Sequence, residues 1–456
     1  MPFDYADPTA GSIPVYFEWY PAVERARGTV LAVEGGPGYA STGSRNSYID
    51  LLGPLHRTRN LLIVDLRGTG HSGVIDCKQL QKLTSASGRQ TYIDAVGECG
   101  NQLDKTRKNL YGQYVRGSRL YTTGNAVRDV ARLLDLLKLD GIDLYGDSYG
   151  TYFAQVFADE FPSKLRSVVL DSAYPIGGKD PFYLGSVQHA RVAFDVVCER
   201  SSKCGGWSSI EKMVARVRNA PDGSPREDRI DTLIRLVLAA GSDGEVYRNL
   251  MPTVEEYLRT GNIGPFLRLR GAILGVGSED SGPVKEFSAG LYVAVMCNDY
   301  PQPFMGGENR TDQYEEAVAN LPENSFHPFT VSEWVNSSAA EFDSCLKWPQ
   351  ADSVKSSKVT ESLHIPPSLP VLVLSGELDT LTTPEEGRQT ASGIGVSAQW
   401  VEVSNSVHIT ALDDRFGCAE KIVRRFIEEP LVNLDASCAK QTPALQLPSV
   451  DHGSPS

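Results

Sequence analysis

Residues Ile142-Asp143-Leu144-Tyr145-Gly146-Asp147-Ser148-Tyr149-Gly150-Thr151 run a short apolar strand into a G-x-S-x-G pentapeptide, and a helix-like pattern follows at once. A strand that turns straight into a helix strains the backbone at the turn, and large side chains two positions either side would collide with strand and helix. Gly146 and Gly150 occupy those two positions. The predicted outcome is a nucleophile elbow: the Ser148 hydroxyl stands clear of the sheet edge, and the N–H of Tyr149 points to where an oxyanion would form. Ordinary strand-to-helix loops also match this pentapeptide, so its meaning depends on what else the chain brings to the same edge.

Upstream, residues 15–20 and 29–33 read as strands, with Ala26-Arg27-Gly28 as the turn between them. The second strand runs into Glu34-Gly35-Gly36-Pro37-Gly38-Tyr39. A glycine-rich loop after a buried strand lets backbone approach a ligand closely, and Gly36 is the candidate for the second oxyanion N–H because Pro37 has none. The apolar run at 60–65 suits a central parallel strand. In the loop behind it, Arg67 is expected to satisfy several carbonyls rather than touch substrate. Residues 79–114 read as helix and loop, and 125–137 carries apolar positions at helical spacing.

Downstream of the elbow, a helix stops near Phe161-Pro162 and another apolar strand spans 165–171. Strands alternating with helices predict an α/β fold with a mostly parallel sheet covered on both faces. From about 175 to 365 the alternation is replaced by helical and loop-like sequence, with helices expected at 229–240 and 284–295. This stretch is expected to be an inserted cap over the carboxyl ends of the strands, where ligands of open α/β sheets bind. The strand–helix rhythm returns with a strand from 370 ending in Gly376-Glu377-Leu378-Asp379, a last strand at 399–403 leading to His408, and a helix at 418–427. The expected division is a core at 1–175 and 366–438, the cap at 176–365, and a Pro-, Ser- and Gln-rich disordered tail at 439–456.

Serine needs a base to become nucleophilic, and the base needs an orienting carboxylate. Ser148, Asp379 and His408 occur in the chain order expected on this sheet topology, each just after an apolar strand. Glu377 competes with Asp379 for the acid role, and Asp379 is preferred because it lies at the strand end.

Hydrophobic residues make up 41% of the 456-residue chain and charged residues 22%, an ordinary globular composition. The formal charge of −13 argues against nucleic acid or an anionic membrane as partner. No stretch is long enough to span a membrane. Eight cysteines fall as neighbours in four couples: Cys77 with Cys99, Cys198 with Cys204, Cys297 with Cys345, and Cys418 with Cys438. They permit 105 pairings, or none if the thiols are reduced, and their spacing does not suit a metal site. Disulfides would imply export. Residues 1–5 carry no basic or apolar leader, so either a signal peptide has been removed or the protein stays in the cytoplasm.

The elbow, the Gly35-Gly36-Pro37-Gly38 loop, the 65–72 segment, the 376–379 acid loop and the late histidine together resemble the α/β-hydrolase peptidases of the proline iminopeptidase and tripeptidyl aminopeptidase group. The C-terminal part, with Cys345 and Cys418, is most similar to the tripeptidyl branch. The resemblance implies an exported, cofactor-free serine aminopeptidase that removes short peptides or a single proline from a free amino terminus. Glu34 stands where iminopeptidases usually carry histidine and the tripeptidyl branch proline. Glu34 and Asp299 are the candidate carboxylates for a substrate ammonium. A carboxylester or small-amide hydrolase on the same triad is the alternative, and a non-catalytic exported binding protein is a third.

Overall fold

The computed structural model describes residues 1–83, 87–219, 226–274, 282–304, 309–349 and 364–448. Seven strands form one sheet: β1 (Phe17–Tyr20), β2 (Thr29–Val33), β3 (Asn60–Val64), β4 (Ile142–Asp147), β5 (Leu165–Asp171), β6 (Val371–Gly376) and β7 (Ala398–Val403). Their spatial order is β1-β3-β2-β4-β5-β6-β7. Among the described residues only the edge strand β1 runs antiparallel in this sheet; every other neighbouring pair in it is parallel.

The parallel strands are apolar on both faces because helices cover both. Leu31, Leu62, Leu144, Val168 and Val373 join the core on one face. Their chain neighbours Val30, Leu61, Tyr145, Val169 and Leu372 join the core on the other. The first face is covered by helices Arg89–Thr106, Thr123–Leu137 and Tyr149–Glu160, the second by Arg45–Leu52 and Cys418–Glu428. Thr122 caps Thr123–Leu137 by accepting from the Asn125 N–H, and Val127, Val130 and Leu134 fall on its buried stripe.

Between β5 and β6 lies the helical insertion, and its parts pack in two ways. Helices Leu184–Ser201, Trp207–Arg218, Arg226–Ala239 and Gly244–Thr260 build a separate apolar cluster, which Leu378 and Val407 join from the loops after β6 and β7. Helix Ala289–Asp299 instead packs into the sheet's own core. It starts later than the expected 284–295 because the Ser288 side chain accepts from the Leu291 N–H and sets the first turn there. The disulfides are Cys77–Cys99, Cys198–Cys204, Cys297–Cys345 and Cys418–Cys438.

The tail requires a correction. Residues 439–448, expected to be disordered, lie against the body: Ala439 and Leu447 are buried, and Lys203 Nζ donates to the Leu447 carbonyl at 2.5 Å. Their polar composition hides a few apolar anchors, of which Leu447 joins the insertion's cluster. Residues 449–456 lie outside the described residues. Among the described residues no helix is long and apolar enough to cross a membrane.

Candidate active site

Ser148 ends β4 and precedes helix Tyr149–Glu160 with φ 51° and ψ −119°, a backbone conformation costly for any residue with a Cβ. The flanking glycines hold it there by close packing. A Cβ on Gly146 would come within 2.2 Å of the Gly150 carbonyl oxygen, and one on Gly150 within 2.2 Å of the Val33 carbonyl oxygen. Gly35 lies directly against the nucleophile, since a Cβ there would sit 2.6 Å from the Ser148 Cβ. Among the described residues, the N–H groups of Gly36 and Tyr149 donate to nothing, so both are free to accept an oxyanion.

Asp379 and His408 come together behind the ends of β6 and β7. His408 Nδ1 donates to Asp379 Oδ2 at 2.8 Å, which leaves Nε2 as the acceptor on the open side of the ring. The carboxylate is fully enclosed. Its other oxygen accepts the N–H groups of Leu381 and Thr382 at 2.8 and 2.9 Å, and Thr382 Oγ1 donates to Oδ2 at 2.6 Å. Burial alone would raise its pKa, but the charge of His408 and these hydrogen bonds prevail and hold it below the ordinary carboxylate range. Glu377, the competing acid, turns away to Arg200, with contacts of 2.6 and 2.8 Å, and to the Asn405 N–H.

The two halves are joined through the end of β5. The Ser148 N–H donates to the Asp171 carbonyl at 2.9 Å, and Ser172 Oγ accepts the N–H of Ile409, the residue after the histidine, at 2.8 Å. Among the described residues Ser148 Oγ has no hydrogen-bond partner, so the serine–histidine bond is open in this state. Hydrogen bonds in an enzyme site without substrate are often long or unmade and tighten when substrate binds.

Two family models match the chain: an alpha/beta hydrolase fold over residues 28–202 and a TAP-like protein over 330–438. The putative hydrolase YuaR of Escherichia coli is 22% identical over 439 residues, covering 92% of this chain and 81% of that protein. A tripeptidyl aminopeptidase of Streptomyces coelicolor is 26% identical over 189 residues, covering 38% of this chain and 34% of the relative. The serine protease Hip1 of Mycobacterium tuberculosis is 22% identical over 411 residues, covering 85% and 76% of the two chains. Of solved structures, MGS-M2, an alpha/beta hydrolase enzyme from a deep-sea metagenome library, aligns with 94% of this chain and 98% of its own at 13% identity and TM-score 0.40. This chain has the α/β-hydrolase fold. Its C-terminal part is of the TAP-like kind.

In this hydrolase the two carboxylates singled out for an ammonium both accept hydrogen bonds from the protein, and among the described residues Asp299 Oδ1 is left without a partner. Tyr48 OH lies 3.0 Å from Glu34 Oε2 and 2.9 Å from Asp147 Oδ1. A phenol has one proton to give, so one of the two carboxyl groups must supply its own. Asp147 is that group: burial first, then the Glu34 charge, push its pKa well above the ordinary range. Asp299 Oδ2 accepts from the Thr123 N–H and hydroxyl, both at 2.7 Å, at the start of helix Thr123–Leu137. Through the same hydroxyl it reaches Tyr149 OH, 2.7 Å from Thr123 Oγ1. Arg67 is structural, as expected: it clamps Asp129 with two bonds of 2.7 Å and donates to the carbonyls of Pro2, Phe3 and Leu120.

A pocket of about 470 Å³ is lined by Gly36, Tyr39, Tyr92, Phe287, Tyr292 and Glu341, among others. The Tyr292 hydroxyl donates to the Glu341 carboxylate. Burial raises the pKa of Glu341, while that hydrogen bond and the charges of Arg89 and Arg235 pull it back.

Sequence reasoning missed Thr382, Ser172, Gly241 and Glu341. Thr382 sits three residues after the acid, where its hydroxyl contacts both Asp379 and His408 Nδ1, the latter at 3.0 Å. Proximity to the acid was a usable signal for Thr382. Nothing local marks the other three. Gly241 accepts the His408 N–H at 2.8 Å from 167 residues away in the chain, and Glu341 lies in a loop just before the short helix Phe342–Lys347.

Proposed function

We propose that this chain is a serine aminopeptidase that hydrolyses peptide bonds near a free amino terminus through an acyl-enzyme. The observation that carries the reading is the enclosed Asp379–His408 pair at the sheet edge where Ser148 is held in an elbow. Ser148 attacks the scissile carbonyl once its Oγ is hydrogen-bonded to His408 Nε2. His408 takes the proton and returns it to the leaving amine, and Asp379 fixes the imidazole tautomer. The Gly36 and Tyr149 amides stabilise the oxyanion, and water then releases the acyl group.

Residues 176–365 act as the cap, and Glu341 binds the substrate ammonium. It lines the pocket that Gly36 also lines, and its carboxylate is oriented by Tyr292. A pocket closed by a charged partner admits a chain end and rejects a chain interior. The resemblance to tripeptidyl aminopeptidases supports this reading, and the four disulfides support an exported protein.

Ser148→Ala is expected to melt with the wild type and lose about 10⁴ to 10⁶ in kcat. Retained turnover, or retained labelling by a fluorophosphonate, would remove Ser148 from the mechanism. A free-amine peptide anilide should be cleaved at least about tenfold better than its N-acetyl form. Equal cleavage of the two would make the enzyme a carboxylester or small-amide hydrolase instead.

A further inference from the structure

The charged end of the pocket holds more donors than it can use. Arg89 gives Nε to Asp343 at 2.6 Å and Nη1 to the Ser337 carbonyl at 2.6 Å, but among the described residues its buried Nη2 has no hydrogen-bond partner. Arg235 lines the same pocket, half-buried, and among the described residues its guanidinium makes no hydrogen bond or ion pair. The acids around it are taken. Asp231 accepts the Ser338 N–H at 2.6 Å and its hydroxyl at 2.9 Å, and Asp228 accepts two nitrogens of Arg270 at 2.5 and 2.8 Å. Glu341 feels the Arg235 charge without forming an ion pair with it, and is bonded to Tyr292. A guanidinium taken partly out of water without an acceptor is costly, and the group that relieves the cost is an anion with oxygen lone pairs.

Resting on the aminopeptidase reading, we propose that Arg235, with the spare nitrogen of Arg89, selects a carboxylate side chain, so that the preferred substrates carry aspartate or glutamate between the free amino end and the scissile bond. Glu341 and Arg235 then face a dipolar ligand: the ammonium meets the carboxylate and the acidic side chain meets the guanidinium. The walls of Tyr92, Phe287 and Tyr292 exclude water from both contacts and strengthen them. An amide side chain of the same shape offers one neutral oxygen and an NH₂ that opposes the guanidinium donors, so glutamine is the discriminating control for glutamate.

The test uses free-amine peptide anilides with glutamate or glutamine placed in turn at each of the first three positions. With wild-type protein, glutamate at one of these positions should raise kcat/KM by roughly 10- to 100-fold over glutamine. Arg235→Gln should erase that ratio by lowering the glutamate peptide far more than the glutamine peptide, and Arg235→Lys should restore part of it. Because Arg235 forms no hydrogen bond or ion pair among the described residues, Arg235→Gln should melt no lower than wild type. If it does melt lower, the wild-type ratio and the Lys variant decide. Equal rates for both peptides at all three positions, or an equal fall for both in Arg235→Gln, would overturn the proposal. Failure of the aminopeptidase reading itself would show separately, as equal cleavage of free and N-acetylated peptides.

Discussion

On the β4 side of the site, Ser148 is positioned by neighbours one or two residues away and by the adjoining strand: Gly146 packs on Gly150, Gly150 on the Val33 carbonyl, and Gly35 on the serine itself. On the β6–β7 side, Asp379 and His408 sit in loops that the helical insertion holds from outside. The His408 N–H donates to Gly241, Thr380 Oγ1 donates to the Leu238 carbonyl at 2.8 Å, and Tyr247 OH donates to the Leu378 carbonyl at 3.0 Å. His189 Nε2 lies 2.8 Å from the Glu377 carbonyl oxygen, and Lys179 Nζ bonds the Leu381 carbonyl and Glu386. Ser148 is therefore placed by local geometry, while Asp379 and His408 are placed by a partner layer far away in sequence. The insertion thereby also fixes how the Asp379 and His408 loops sit against each other.

This contrast can be broken by substitution. The largest expected effect is in the acid. Asp379→Asn should cost about 10⁴ in kcat by imposing the wrong imidazole tautomer, whereas Glu377→Gln, which loses an Arg200 pair, should cost under about tenfold. Steady-state kinetics on both decides, and equal losses would move the acid role to Glu377.

The two clusters of glycine contacts should then fail differently. A Cβ on Gly241 would meet Thr380 Oγ1 at 2.1 Å and its backbone nitrogen at 2.2 Å. Gly241→Ala is expected to displace the acid and histidine loops and lower kcat roughly 10- to 100-fold in a protein that still folds. Gly150→Ala, with its clash against the Val33 carbonyl inside the sheet, should instead cost about 1–3 kcal/mol of stability. Melting temperatures measured beside kcat separate the two; a Gly241→Ala protein with wild-type kcat would mean that the insertion does not support the loops.

A smaller effect is expected at Thr382. Thr382→Val removes one donor to Asp379 Oδ2, with an expected loss of about tenfold in kcat and about 1 kcal/mol of stability, and Thr382→Ser should restore both. An unaltered kcat in the Val variant would limit Thr382 to packing.

The smallest effect lies on the nucleophile side and shows in pH. Burial pushes Asp299 up to about 7, against the opposing hydrogen bonds from Thr123. A carboxyl raised above its unfolded value contributes stability that is complete below about pH 4 and is lost as pH climbs through about 7. Asp299→Asn lacks this dependence. The stability advantage of the wild type over the variant should therefore shrink between pH 4 and 7, by an amount on the order of 2–4 kcal/mol at most. Chemical denaturation of both proteins across that range tests it, and parallel curves would show that Asp299 does not titrate there.

The elements that could be read from the chain are those whose causes are local. The β2, β3, β4 and β6 runs are mostly apolar and buried at nearly every position because both faces of a parallel sheet are covered, whereas the last strand before His408 mixes Trp400, Val401 and Val403 with Gln399 and Glu402. The elbow was legible because two close backbone contacts leave room for glycine alone at 146 and 150. Readings of the insertion were weaker. Helix Ala289–Asp299 was placed five residues early because its cap, Ser288, looks like any loop serine. Its attachment to the sheet's core, rather than to the other inserted helices, depends on surfaces that periodicity does not reveal. The tail from 439 to 448 was misread because composition averages over the few apolar side chains that anchor it.

By itself the amino-acid order determined the alternation of strands and helices, the strained serine and the succession of serine, acid and histidine, since each follows from steric and hydrophobic rules acting over a few residues. Tertiary structure decided which partners each charged group meets. It brings Tyr48 to Glu34 and Thr123 to Asp299, encloses Asp379 beside His408, and gathers Gly36, Arg235 and Glu341 around one pocket. Whether a charged group is satisfied depends on atoms brought to it from distant parts of the chain, and only packing in three dimensions brings them there.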